Sequence, residues 1–187
     1  MANQDAAFGF RPARSLTGGQ IRTEEYAIAN NASGSIFTGQ IVEAVAGGGI
    51  EPAAAGDTQQ LGVFSGVFYT DPTTGKPTWR AFYSQVAAAD IVASVVADPY
   101  VVFEAQHDGT GTAAMNNSDF DFTGVAGSTI SGQSTSEIDT SSTGTTGGLK
   151  QIGISKDPSN NDTATANANA YVVINTGEHV FKLTTGV

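Results

Sequence analysis

Glycine constrains this chain more than any other residue. It fills 23 of 187 positions, about 12%, against roughly 7% in an average protein. Inside a helix each glycine costs about 1 kcal/mol relative to alanine, whereas turns, bulges and close backbone approaches require it. Ser, Thr, Ala and Asn are also abundant, and only 14% of the residues are charged. That mixture excludes a helical bundle and charge-rich disorder, and it suits many short strands joined by tight turns. A hydrophobic fraction of 40% is enough for one modest core or two small ones. The expected fold is all-β: a short-stranded barrel or sandwich with long Gly/Ser/Thr-rich loops and an extended N-terminal arm.

Charge removes further classes. Eight Lys+Arg face eighteen Asp+Glu, a net charge of -10. Such a body repels polyanions, so neither nucleic acid nor an acidic membrane surface is an expected partner. No apolar run approaches the roughly 20 residues of a transmembrane helix. Cysteine is absent, which excludes disulfides, thiolate metal sites and cysteine nucleophiles. The first residues show no basic stretch followed by an apolar one, so no Sec leader is read there.

Residues 1–20 lack both helical and strand periodicity, and Pro12 biases Arg11 towards an extended backbone. Arg11, Arg14 and Arg22 are opposed only by Asp5, so the first 22 residues carry +2 in a chain of -10. The reading is an arm that docks on an acidic neighbour, with Phe8 and Phe10 as anchors and Arg11 and Arg14 as pairing groups. The plain alternative is a solvated terminus.

Residues 21–187 form the β domain, and a division into two small lobes is placed near 85–98. Residues 61–83 read as a hairpin of two aromatic strands around a turn at 71–77. Its Phe64, Phe68, Tyr69, Trp79, Phe82 and Tyr83 are interface anchors wherever they are not core. Residues 85–97 fit a helix or a strand, and β-branching favours the strand. Within 106–148 only Phe120, Phe122, Val125, Ile130 and Ile138 offer apolar anchors. Residues 175–183 read as a closing hairpin. Five positions echo at an offset of 88: Ile50, Glu51, Gly56, Thr58 and Leu61 against Ile138, Asp139, Gly144, Thr146 and Leu149. A duplication would make the chain two similar β units rather than one sandwich.

Catalytic constellations are thin. His107 sits in a turn-like Gln-His-Asp-Gly and His179 between expected hairpin strands, both read as surface or edge positions. The Asx-rich stretches at 116–121 and 157–162 lack the spacing and closing Glu of a calcium loop. No cofactor, metal or catalytic residue is assigned. Between Arg80 and Lys150 there is no Lys or Arg, but there are eight acids, so one region is uniformly acidic.

The residues at 7–14, 39–43, 50–57, 61–63 and 99–106, then the Ser/Thr/Gly tract and Ile152-Gly153-Ile154, resemble small structural proteins of tailed bacteriophages. The nearest kind is the capsid decoration, or cement, protein. The resemblance implies a non-enzymatic virion component on the capsid exterior, assembled in the bacterial cytoplasm. It implies the major capsid protein as partner and a homotrimer as the assembly state. A tail, fibre or adhesin-type module binding host glycans is the alternative.

Overall fold

A computed structural model describes residues 2–29, 32, 34–124, 126–144, 146–175 and 177–183. Val125, named above as an anchor, lies outside them. The chain is 43% strand and 2% helix, which establishes the all-β class.

The strands in chain order begin with β1 (Arg11–Ser15), β2 (Glu24–Tyr26), β3 (Ile36–Phe37), β4 (Ile41–Ala44) and β5 (Ile50–Pro52). The long β6 (Gln60–Thr70) follows, then β7 (Pro77–Arg80), β8 (Phe82–Tyr83) and β9 (Val92–Val96). The remainder are β10 (Val101–Gln106), β11 (Asp119–Phe122), β12 (Ile138–Gly144), β13 (Leu149–Ile154) and β14 (Asn169–Ile174). One sheet has the order β2-β9-β6-β4-β5, with β7 on the far half of β6. The other has the order β1-β10-β14-β13-β11-β12, and β3 pairs β8 separately.

Without β1 and β7 the two sheets share one connectivity. In each, a hairpin forms first (β4–β5, β11–β12). The next strand (β6, β13) returns beside the hairpin's first member, and the last (β9, β14) adds on its far side. The earliest strand (β2, β10) completes the edge of the five. Register corresponds too. Ala44 faces Ile50 and Glu43 faces Glu51, just as Phe122 faces Ile138 and Asp121 faces Asp139. The echo positions Ile50 and Ile138 open β5 and β12, and Leu61 and Leu149 lie at the starts of β6 and β13. One unit gives way to the next across the turn between Val96 and Val101.

The units stack in the same direction. Val42, Ile50, Leu61, Phe64 and Val95 form one core with Ile36, Tyr69 and Tyr83. The corresponding Phe120, Ile138 and Leu149 form the second core, together with Ile41, Val63 and Val96 from the first sheet. Neighbours such as Ile41 and Val42 point to opposite faces of a strand. The second unit's inner face therefore covers the outer face of the first.

The N-terminal segment belongs to this stack, which corrects the expected free arm. Phe10 is fully buried in the second core and meets Phe122 edge to face, with ring centroids 6.2 Å apart. Its backbone N–H donates to Gly39 O at 2.7 Å. Gly9 (φ +71°) makes that approach possible, since a Cβ there would stand 2.7 Å from Gly39 O. β1 then adds to the edge of β10, and Arg11 donates to Glu104 at 2.6 Å. Further out, Asn3 Nδ2 donates to the carbonyls of Asp162 and Ala166. The physical reason is burial: one fully buried phenylalanine and an added strand outweigh the entropy of a loose terminus.

Candidate functional site

Of the four residues assigned to partner binding, Phe10 is unavailable because it fills the protein's own core. Arg11 pairs with Glu104, and its guanidinium lies 4.9 Å from the ring centroid of half-buried Phe8. Arg14 is exposed, with its guanidinium 5.4 Å from the Tyr171 ring. These three line the edge of the second sheet and do not converge on a projecting arm.

Both histidines are fully buried, which corrects their expected surface placement. His107 Nδ1 lies 2.9 Å from Ala168 O and Nε2 lies 2.9 Å from Gln151 Oε1. Gln151 in turn donates to Thr112 O and Asn116 Oδ1. Gly111 leaves room for the ring, since a Cβ there would fall 2.1 Å from Nδ1. The apparent turn motif is thus a covered ring whose backbone N–H also joins Ala168 O. His179 Nδ1 accepts from the Phe181 N–H at 3.2 Å.

Burial pulls the His179 pKa down to about 4, only partly opposed by Asp98. Glu43 moves the other way: burial, then Asp57 and the facing Glu51, push it up to about 7. The consequences for stability have opposite signs. Neutral His179 contributes stability above its unfolded pKa near 6.5, and this is lost as pH falls towards 4, up to about 3 kcal/mol. The contribution of protonated Glu43 is complete below about 4.5 and is lost as pH rises through 7. Urea unfolding between pH 4.5 and 8 should therefore show Glu43→Gln gaining on the wild type as pH rises. A difference that stays flat across that range would refute the assignment.

The Asx-rich loop at 157–162 organises the chain's own turns. Asp157 and Asp162 accept from the N–H groups of Ser159 and Ala164, and Asn160 Nδ2 donates to Gln4 O and Asn167 O. Among the described residues, no three His, Asp or Glu side chains stand close enough to hold a metal ion. The turns after β5 and β12 meet in a cleft of about 250 Å³ bearing Asp57, Asp121 and Glu178. Burial, and then Asp121, raise the Glu178 pKa.

What the surface offers instead is two apolar faces. Leu16 (55% exposed), Tyr100 (42%) and Phe181 (58%) form the first. Leu16 N–H donates to Tyr100 O at 2.9 Å, and Lys182 Nζ lies 4.1 Å above the Tyr100 ring. Phe181 borders a cleft of about 410 Å³ that also holds Arg22, Glu24, Asp98 and Pro99. The second face joins Phe68 and Trp79, directly opposed on β6 and β7, to a neighbouring loop with Ile130. Ile130 is 97% exposed, which corrects its reading as a core anchor: a Ser128–Gly132 turn holds it outward. Phe68 and Trp79 were named from sequence. Leu16, Tyr100 and Phe181 were not, although large apolar residues set beside glycine, proline or charged turns were the available signal.

No family model, curated protein or solved structure matches the chain.

Proposed function

We propose that this protein is a non-enzymatic virion component that binds the outer surface of a phage capsid and stabilises contacts between major capsid subunits, acting as a homotrimer. The observation that carries the reading is the Leu16–Tyr100–Phe181 face. Three segments distant in sequence hold large apolar side chains in water, Leu16 bonded through its backbone to Tyr100 and Phe181 on the adjoining cleft, the arrangement of an interface anchor rather than of a folding core. Charge supports an exterior position, because a body of -10 is repelled by packaged DNA. Both imidazoles are committed to internal packing, which leaves them out of reach of a substrate.

The test mixes Leu16→Asp and Phe181→Asp proteins with undecorated capsids and counts bound copies by cryo-EM. Each should keep the wild-type circular dichroism and lower occupancy at least about tenfold, the effect of losing one desolvated apolar anchor. Full occupancy by both variants would refute the face. A handful of copies at the tail in native particles would refute the shell position, and isolated single copies would refute the trimer.

A further inference from the structure

We infer that His179 is an acid-sensitive latch on the Leu16–Tyr100–Phe181 face: protonation of its imidazole frees residues 177–183 and withdraws the Phe181 anchor. This regulation rests on the capsid-binding reading of that face.

The latch is built around one residue. His179 is fully buried, whereas Phe181, two positions on, is 58% exposed. His179 Nδ1 accepts the Phe181 N–H at 3.2 Å, and the two rings tilt against each other with centroids 5.6 Å apart. The His179 N–H donates to Asn175 O at 3.0 Å, and its carbonyl accepts from Lys182 at 2.8 Å and from Leu183 at 3.2 Å. A bridge between His179 and Gln60, with the Val180 N–H on Gln60 O at 2.9 Å, fastens the turn to β6. Residues 177–183 join neither sheet as a strand. A segment held at so few points opens at a far lower free energy than the sheets beneath it.

Only the neutral ring supports this arrangement. A nitrogen that accepts a hydrogen bond has its lone pair free, so the one proton of the ring sits on Nε2. An imidazolium has two donors and no acceptor. Protonation therefore sets Nδ1–H against the Phe181 N–H, donor to donor, and places a charge where water does not reach. The surrounding groups do not compensate. Burial is the largest influence and pulls the pKa down to about 4, although Asp98, from the turn between β9 and β10, draws a proton towards the ring. Lys182, on the same turn as His179, repels one, and the Ala97 carbonyl adds a smaller attraction. Glu178, next in the chain, lines the separate cleft that holds Asp57 and Asp121. Arg22 and Glu24, one of each sign, border the Phe181 cleft.

The charged ring is relieved by reaching water, where its pKa returns to about 6.5. Lowering the pH from 7.5 to 4 then shifts the balance between closed and open 177–183 on the order of a hundredfold towards open. Phe181 lines both the cleft of about 410 Å³ and a second one of about 380 Å³ that it shares with Val180 and the 45–49 turn. Its departure removes a wall from each. A protein that holds its shell at neutral pH thus lets go in acid.

The free full-length protein tests the latch by amide hydrogen exchange at pH 7.5 and 4, corrected for intrinsic rates, together with the nitrogen shifts of the His179 ring. The ring should be the Nε2–H tautomer at pH 7.5. Protection of the Val180 and Phe181 amides should fall on the order of a hundredfold at pH 4 relative to Phe64, whose N–H is held by Gln40 O. Decorated capsids are then taken to pH 4 and back. Wild-type occupancy should drop at least about tenfold and recover. His179→Gln, which cannot titrate and offers an amide oxygen to the Phe181 N–H, should keep both its protection and its occupancy. If that variant does not fold, the wild-type exchange profile and ring shifts decide. An Nδ1–H tautomer, protection that persists or is lost only in step with Phe64, or wild type that stays on the shell at pH 4 would overturn the latch. Failure to bind capsids at pH 7.5 would refute the capsid reading instead, and the exchange data would still decide whether the segment opens.

Discussion

Phe10→Ala is expected to destabilise the protein by about 3–5 kcal/mol, read as a fall in the urea midpoint at constant slope. The ring is fully buried between the two stacked sheets and loses both its apolar contacts and its edge-to-face partner Phe122. The loss is a large share of the 5–15 kcal/mol that holds a typical domain together. Phe8→Ala should cost less than half as much, because Phe8 is only half-buried. Deleting residues 2–14 should abolish folding, since it removes Phe10 together with most of β1. A Phe10→Ala change within about 1 kcal/mol of the wild type would mean that the ring does not bridge the sheets.

Gly62→Ala should be comparably severe, for a different reason. A Cβ at this position would lie 2.2 Å from Val96 O and 2.9 Å from Ala97 Cα. Those are backbone atoms, and no rotamer change can move them aside. β6 would have to part from β9 just where it also pairs with Val42 of β4. We expect a loss of at least about 3 kcal/mol, the upper end of ordinary overpacking. Gly153→Ala is the matched control: it sits in β13 with no atom within 4 Å of the added methyl. Its midpoint should move little. Equal midpoints for the two variants would show that the sheet accommodates the clash.

The local features of the fold were legible and the distant ones were not. The 61–83 hairpin announces itself: Asp71 Oδ1 accepts from Thr73 and Thr74 N–H groups, Gly75 adopts φ +66°, and the strands on either side are aromatic. Within the expected strand at 85–97, β9 takes only Val92–Val96, where β-branching and the Asp98-Pro99 turn beyond it both pointed. His107 could not be placed, because its neighbours are Gln151, Ala168 and Phe120, which lie far along the chain. A closing hairpin is expected at 175–183, of which Thr176 lies outside the described residues; residues 177–182 form tight turns around a single bridge at His179, with Val180 N–H donating to Gln60 O. The arm at 1–20 misled for a related reason. Arg11, Ala13 and Arg14 are exposed even though β1 is hydrogen-bonded along its length, so side-chain alternation carried no trace of the pairing.

Stacking in one direction leaves the molecule with unlike ends, and it raises the question of why the pile stops at two. In the first unit the outer position on the hairpin is Ile41, opposite Val63, and the second unit covers both. Counting back from the shared register, the same place in the second unit is Asp119, opposite Lys150, and the two side chains form an ion pair. Arg11 and Glu104 add another pair on the same sheet. Terminal repeats of solenoid proteins likewise end in a polar face that cannot recruit a further repeat. An isoleucine and a valine here would offer the next molecule what the first unit offers the second, and head-to-tail fibres would follow. Two exchanged residues separate a finite two-unit molecule from an open polymer.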